Sequence, residues 1–318
     1  AYAGSPHCEV TALCDLSPDK AHGVAKELSS APQIYDDAFG LLQDPSLDIV
    51  SIASYDDAHY DQTTAALRAG KHVMVEKPMC LTREEAQGIQ GELDRHPELR
   101  LSSNLPLRTC PRFLGVRQAI QQGDMGEVYH IEADYLWGRP QKLASGWRPA
   151  MHFYSIIYGA AVHMVDLVMW MLEKKPVSVT AMGSRIALAD SPLRYNDFAI
   201  FLLHFADGCT AKISAHGGCV HPHFHALRVF GTKRTYRNDL DAALWIDDSD
   251  PNAAPRQDFT EYPGRKERGQ VCTSFVEAVL GLRERPLVPR QDVFDVMQVC
   301  FAAEEAVATC QPQSIVYR

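Results

Sequence analysis

The sequence predicts an α/β chain in two parts: a Rossmann-like domain with a parallel sheet over residues 1–104, and an α+β domain with a mostly antiparallel sheet over 105–318. Three observations predict it. Up to Asn104, short apolar runs alternate with amphipathic stretches of helical period, as parallel strands covered by helices on both faces require. Beyond Asn104, strand-like runs follow one another, and Asp207-Gly208 marks a hairpin turn between two of them. At 318 residues and 46% hydrophobic content, the chain is long enough for two cores.

In the first part, 9–14 is an apolar run ending at Asp15. Ser17, Pro18 and Asp19 then supply an N-cap, a first helical residue and an acidic first turn. That helix extends to about residue 28, with Ala21, Val24, Ala25 and Leu28 on one face. A brief strand at 34–35, a short helix at 37–42 and a buried strand at 48–53 follow. A helix over 58–69 stops at Gly70, and 72–75 is another buried strand. Thr82 and Glu85 have capping-box spacing and open a helix to about residue 96, before a strand at 99–103. The second part begins with a helix at 112–122 and a long strand at 127–137. An apolar helix at 159–172, strands at 177–186, 198–205, 210–216 and 226–230, a polar loop at 251–268, and helices at 271–282 and 293–309 complete it.

Composition excludes several functions. The net charge is −9 with no basic stripe, so nucleic acid is not an expected partner. No run of about 18 apolar residues exists to span a membrane; the longest apolar stretch, 160–172, is broken by His163 and Asp166. The nine cysteines are scattered, odd in number and without a CxxC pair, which predicts reduced thiols in the cytoplasm. No signal peptide is visible, although the sequence begins at Ala1 without a methionine.

Two places carry chemistry. Asp15 lies at the carboxyl end of a strand and before a helix, where an acid can take both hydroxyls of an adenosine ribose or cap the turn. Its neighbours Leu16 and Ser17 offer no arginine to a 2′-phosphate, which favours NAD while leaving NADP possible. Further on, the apolar strand of 72–75 runs directly into Glu76-Lys77-Pro78. A lysine at a strand's carboxyl end, followed by a backbone-fixing proline, can hydrogen-bond a substrate hydroxyl and move its proton; the plain alternative is a solvated strand end.

The stretch Ala66-Leu67-Arg68-Ala69-Gly70-Lys71-His72-Val73-Met74-Val75-Glu76-Lys77-Pro78 closely resembles the ALxAGKHVxxEKP signature of the Gfo/Idh/MocA oxidoreductases. The run from Asp48 to Ala53, His59, Asn104 with Arg108, and Val229 to Lys233 are similar to the same family, so the resemblance covers nearly the whole chain. It implies that Lys77 is the catalytic lysine, that Glu76 lies by the nicotinamide, and that Ala53 and Ser54 line the cofactor crevice with His59 nearby. It implies that His163 is an active-site histidine, where the residues alone allow a satisfied core histidine. Asp166, one turn on, is expected to brace the helix.

Two departures stand out. The family opens with a strand and a GxGxxG loop about 20 residues before the ribose acid, whereas Asp15 comes too early for that loop; residues 1–5 are expected to end a first helix, with the central strand and phosphate cradle missing. The family also has an aspartate four residues before the histidine, and this sequence has Gly159 there. His152, Tyr154 and Tyr158 are candidate replacements.

Cys219, His221, His223 and His225 alternate as on one strand face, a pattern that can bind zinc but has no accompanying carboxylate; no metal is expected, and a polar pocket wall is the favoured alternative. Arg139, Trp147, Arg148, Arg194 and Tyr195 suit a sugar bearing carboxylate or phosphate, or plain surface. The resulting expectation is an NAD(P)-dependent oxidoreductase that moves hydride to or from a secondary hydroxyl of a sugar, cyclitol or nucleotide-sugar. Its partners are a small sugar-like substrate and copies of itself in a dimer or tetramer. The alternative is a family member that binds a sugar or a partner without turnover.

Overall fold

A computed structural model describes residues 1–317. The chain divides into two compact units: 1–106 with 266–294, and 107–265 with 295–318. The division falls two residues from the boundary predicted at 104. The segment 266–294, assigned by sequence to the second domain, is compact with the first unit.

The first unit opens with a 3-10 turn at Tyr2–Gly4, where sequence predicted the end of a helix. Its elements are β1 (Ala12–Cys14), α1 (Pro18–Ala25), β2 (Gln33–Tyr35), α2 (Ala38–Leu42), β3 (Ile49–Ile52), α3 (His59–Arg68), β4 (His72–Val75), α4 (Arg83–Arg95) and β5 (Leu101–Ser103). All strand pairs are parallel, but they form two sheets: β1 with β2, and β3 with β4 and β5. No ladder joins β1 to β3 among the described residues, so the parallel strands form two separate sheets. Val73, Met74, Val75, Leu67, Ile89 and Leu93 are all buried, and each such side chain contributes about 1.5–3 kcal/mol by leaving water. The Thr82 cap forms as predicted. Its hydroxyl accepts the Glu85 N–H at 3.1 Å, and Glu85 reaches back to the Leu81 and Thr82 N–H groups. The Ser102 hydroxyl donates to the Val288 carbonyl at 2.8 Å, which ties the segment 266–294 to β5.

The second unit continues with α5 (Pro111–Gln121), β6 (Val128–Leu136), α6 (Gln141–Ala144), a π turn at Ile157–Ala161 and α7 (Val162–Leu172). Then come β7 (Pro176–Ser184), β8 (Phe198–Phe205), β9 (Thr210–His216), β10 (Phe224–Gly231), β11 (Thr235–Asn238), β12 (Ala243–Ile246) and β13 (Arg256–Gln257). Helix α8 (Gln270–Val279) belongs to the first unit, α9 (Arg290–Thr309) crosses the division, and β14 (Gln313–Ser314) ends the chain's ordered elements. The sheet has nine strands in the order β13-β12-β11-β10-β6-β9-β8-β7-β14. Only β6 and β9 run parallel. Strands β11 and β12 were not predicted, and β13 lies within the predicted loop. Alternate residues of β6 (Ile131, Ala133 and Tyr135) are buried on the face that packs against α7.

Of the alternating residues Cys219, His221, His223 and His225, only His225 lies on a strand, because β10 starts at Phe224. Pro222 has no N–H for a ladder. In addition, the 221–223 backbone presses on Gly138, where a Cβ would lie 2.3 Å from the His221 carbonyl oxygen. Cys219 and His221 therefore do not share a strand face with His225. All nine cysteines are free thiols. No described helix is long and apolar enough to cross a membrane.

Candidate active site

In the first unit the predicted groups collect at the carboxyl ends of β1, β3 and β4. Asp15 follows β1 and is exposed; its Oδ1 accepts the Ser17 N–H at 2.8 Å. The carboxylate thus caps the turn, as the plainer sequence reading held. Ala53 is exposed after β3, and the half-buried Ser54 donates its hydroxyl to Gln62 Oε1 at 2.7 Å. Glu76 and Lys77 follow β4 and are half-buried. Glu76 is held by the Asn104 amide at 2.6 Å and by the Lys77 N–H at 3.3 Å. The Lys77–Pro78 peptide is cis.

His59 is wholly buried. Its Nδ1 lies 2.6 Å from the Pro78 carbonyl and its Nε2 3.2 Å from the Ser54 carbonyl. A neutral imidazole has one N–H to donate, and the shorter contact assigns it to Nδ1. His59, at the start of α3, therefore donates to the Pro78 carbonyl and ties that helix start to the turn that carries Lys77. This role was not visible in sequence, which placed the residue only near the cofactor.

The second unit builds its own group around His163. This residue lies in α7 with its ring stacked on Tyr135 of β6 at 5.7 Å and 13°. Tyr135 also meets His223 at 5.2 Å, His225 at 5.0 Å and Trp137 at 5.8 Å. His225 and Tyr135 are direct cross-strand partners, so sheet register brings them together. The His225 ring and backbone N–H both lie 2.8 Å from the Tyr262 hydroxyl, while His223 Nδ1 lies 3.1 Å from the Trp137 carbonyl. Hydrogen bonding to protein oxygens thus orients both rings. Among the described residues, no group of three His, Cys, Asp or Glu is arranged to hold a metal.

Asp166 acts as the predicted brace. Its carboxylate receives Arg108 Nε at 3.1 Å and Nη2 at 2.5 Å, with both side chains buried. Just before α7, the Ser155 hydroxyl accepts the Ile157 and Tyr158 N–H groups and donates to Glu304 at 2.6 Å. Burial raises the Glu304 carboxyl above its ordinary value, and the Ser155 bond partly offsets this. Glu304, Phe153, Tyr154, Arg194 and Tyr195 line a cavity of about 240 Å3.

Of the three candidate replacements at Gly159, Tyr154 is the one that fills the place. Its ring is buried, and its hydroxyl lies 2.3 Å from where a Cβ at residue 159 would stand. Residues 159 and 163 are four apart on one helix and share a face. The Tyr154 hydroxyl therefore lies over the same face as His163, one turn earlier, within a π turn of the kind that often marks functional sites.

Strand-end groups, a turn-capping acid and a fixed lysine are what a dinucleotide-dependent enzyme needs at the adenosine and nicotinamide ends of its cofactor. Asp15, Ala53, Ser54, Glu76 and Lys77 fit those two ends.

Comparisons agree with this class. Residues 1–103 match the family model described as an oxidoreductase family with an NAD-binding Rossmann fold, and residues 113–237 match the GFO/IDH/MocA C-terminal domain. The chain belongs to the GFO/IDH/MocA family of NAD-binding oxidoreductases. It is 28% identical over 172 residues to inositol 2-dehydrogenase 2 of Saccharopolyspora erythraea, a match covering 54% of this chain and 48% of that one. It is also 28% identical over 183 residues to a 1,5-anhydro-D-fructose reductase of Ensifer adhaerens, covering 55% and 52%. These matches span about half the length of each relative. A crystal structure of myo-inositol 2-dehydrogenase from Lactobacillus plantarum superposes with a TM-score of 0.80 at 19% identity, covering 99% of this chain and 94% of the other. A levoglucosan dehydrogenase in complex with NADH and L-sorbose gives 0.84 at 16% identity, covering 99% and 92%. At these identities, the two structures show the fold.

Proposed function

We propose that this chain is a cytoplasmic, homo-oligomeric dehydrogenase that uses NAD, with NADP as a poorer substitute, to oxidise or reduce a secondary alcohol carbon of a cyclitol, sugar or nucleotide-sugar. The observation that carries this reading is the placement of Lys77. It follows a buried parallel strand in a turn braced by Glu76, Asn104 and His59. The nicotinamide, when bound, supplies the redox chemistry. Lys77 hydrogen-bonds the reacting hydroxyl and takes or returns its proton. Glu76 is fixed by Asn104 and flanks the nicotinamide, while the Asp15 carboxylate accepts ribose hydroxyls. His163, held flat against Tyr135, orients the substrate. The relatives' names suggest polyols as substrates.

The test is titration of NADH and NADPH into the protein, followed by NAD-linked turnover of myo-inositol and related polyols. Tighter binding of NADPH would overturn the assignment of Asp15, because a carboxylate there repels a 2′-phosphate. Dinucleotide binding with no turnover of any polyol would favour a non-catalytic sugar-binding role.

A further inference from the structure

We infer that the second unit carries an oxyanion subsite formed by Arg139 and Arg148, so that the substrate is a polyol bearing a carboxylate or phosphate. This rests on the dehydrogenase reading for the redox step, but the subsite is defined by its own geometry.

Both arginines lie on the segment that leaves β6, and both guanidinium groups sit over the indole of Trp137, at 5.8 Å for Arg139 and 5.5 Å for Arg148. Arg148 also lies 4.3 Å from the Trp147 ring and 5.9 Å from the Tyr154 ring. Trp137 in turn meets Tyr135, the ring on which His163 stacks. The cations are thus continuous with the group around His163.

Neither arginine forms an ion pair among the described residues, in contrast to Arg108, Arg117, Arg228 and Arg234 of the same unit. The Nε atoms of Arg139 and Arg148 are both buried and have no hydrogen-bond partner among the described residues. Among the described residues, the one hydrogen bond from either guanidinium runs from Arg148 Nη1 to the Lys142 carbonyl, at 3.1 Å.

A buried donor without an acceptor is destabilising, and two of them around one indole form an arrangement that a bound acceptor completes. The acceptor that suits a guanidinium is an oxyanion, which takes Nε–H and Nη–H together in a fork. The cation–π contacts with Trp137 restrict both guanidinium groups before any ligand arrives, which lowers the entropy lost on binding.

Calorimetric titration of the protein, without cofactor, by myo-inositol, D-glucuronate and D-glucose 6-phosphate tests this. At least one anionic probe should bind about tenfold or more tightly than myo-inositol, with affinity falling as salt rises. The tighter of the two identifies the oxyanion as carboxylate or phosphate. Arg148→Gln should remove most of that advantage and leave myo-inositol binding within about twofold, while Arg148→Lys should restore part of it because charge remains but the fork is lost. Arg139→Gln should act in the same direction and serves as a second variant if Arg148→Gln folds poorly.

Equal binding of neutral and anionic probes, indifference to both Gln substitutions, or binding by none of the three would overturn the subsite. Since binding is read without turnover, a protein that binds the anion through Arg148 but oxidises no polyol would refute the dehydrogenase reading and leave the subsite standing.

Discussion

The two units assemble functional groups in different ways. In the first unit they lie at successive strand ends and are held by nearby or backbone partners: Asp15 by the Ser17 N–H, Lys77 between Glu76 and Pro78, and His59 between two carbonyls. In the second unit the group around His163 is drawn from a helix, two strands and a loop, and Arg108 and Asp166 are 58 residues apart in sequence. A strand-end site concentrates its chemistry in one short stretch of chain. A site on a sheet face distributes it across the register. The first should therefore fail in chemistry when one residue is changed, and the second in packing as well.

The largest effect should come from Lys77. Lys77→Met should lower kcat/KM by about 10²–10⁴ while NADH affinity stays within a few-fold, because only the proton-handling group is lost. His163→Ala should cost less, since its role is orientation. Steady-state kinetics with NADH titration on both variants measures the contrast. Near-full activity in Lys77→Met would remove the first unit's claim to the chemistry.

Asp166→Ala is expected to destabilise the second unit by about 3–5 kcal/mol, by leaving the Arg108 guanidinium buried without its carboxylate. Denaturant unfolding of the protein measures this, and a loss under 1 kcal/mol would show that Arg108 finds another partner.

Gly159→Ala should cost about 1–3 kcal/mol, because the new methyl stands 2.3 Å from the Tyr154 hydroxyl and must displace the ring. The cost should largely disappear in a Tyr154→Ala background, a non-additivity that a double-mutant cycle detects. Additive losses would mean that the two positions do not compete for the same space.

The smallest effect concerns Glu304. Its carboxyl is raised by burial, so the folded protein binds this proton more tightly than the unfolded chain does. That contribution is fully present below the ordinary glutamate value of 4.5 and is lost as pH rises through the raised folded value. Glu304→Gln keeps an acceptor for Ser155 and should make the protein slightly more stable than wild type near neutral pH, with the difference closing below about pH 4.5. Thermal melts at pH 4 and 7 show the trend, and a variant less stable at pH 7 would indicate that the charge has a partner outside the chain.

The contrast between the units also explains what could be predicted. Thr82 and Glu85 identify their helix start from four residues, and the 66–78 stretch carries both its strand and its lysine, because each depends on contacts a few residues apart. The brace role of Asp166 could be anticipated, since a carboxylate inside so apolar a helix requires a partner. The partner itself could not be read, nor could the bond from His59 to Pro78, because local pattern does not encode which distant group a folded backbone will deliver. The alternation of the histidines at 221, 223 and 225 left strand face and loop both open, and Pro222 and the close approach of Gly138 keep the first two off the strand.

By itself, the sequence determined the two-part α/β and α+β organisation, the family and the lysine at the end of β4. Hydrophobic period, capping chemistry and contiguous motifs act over short spans of chain and survive without knowledge of the fold. Only the tertiary structure decided that the parallel strands form two separate sheets, that Tyr154 occupies the space over Gly159, and that Tyr135 gathers His163, His223 and His225. Those outcomes depend on register and packing between segments tens of residues apart, where a shift of one residue turns every side chain of a strand to the opposite face.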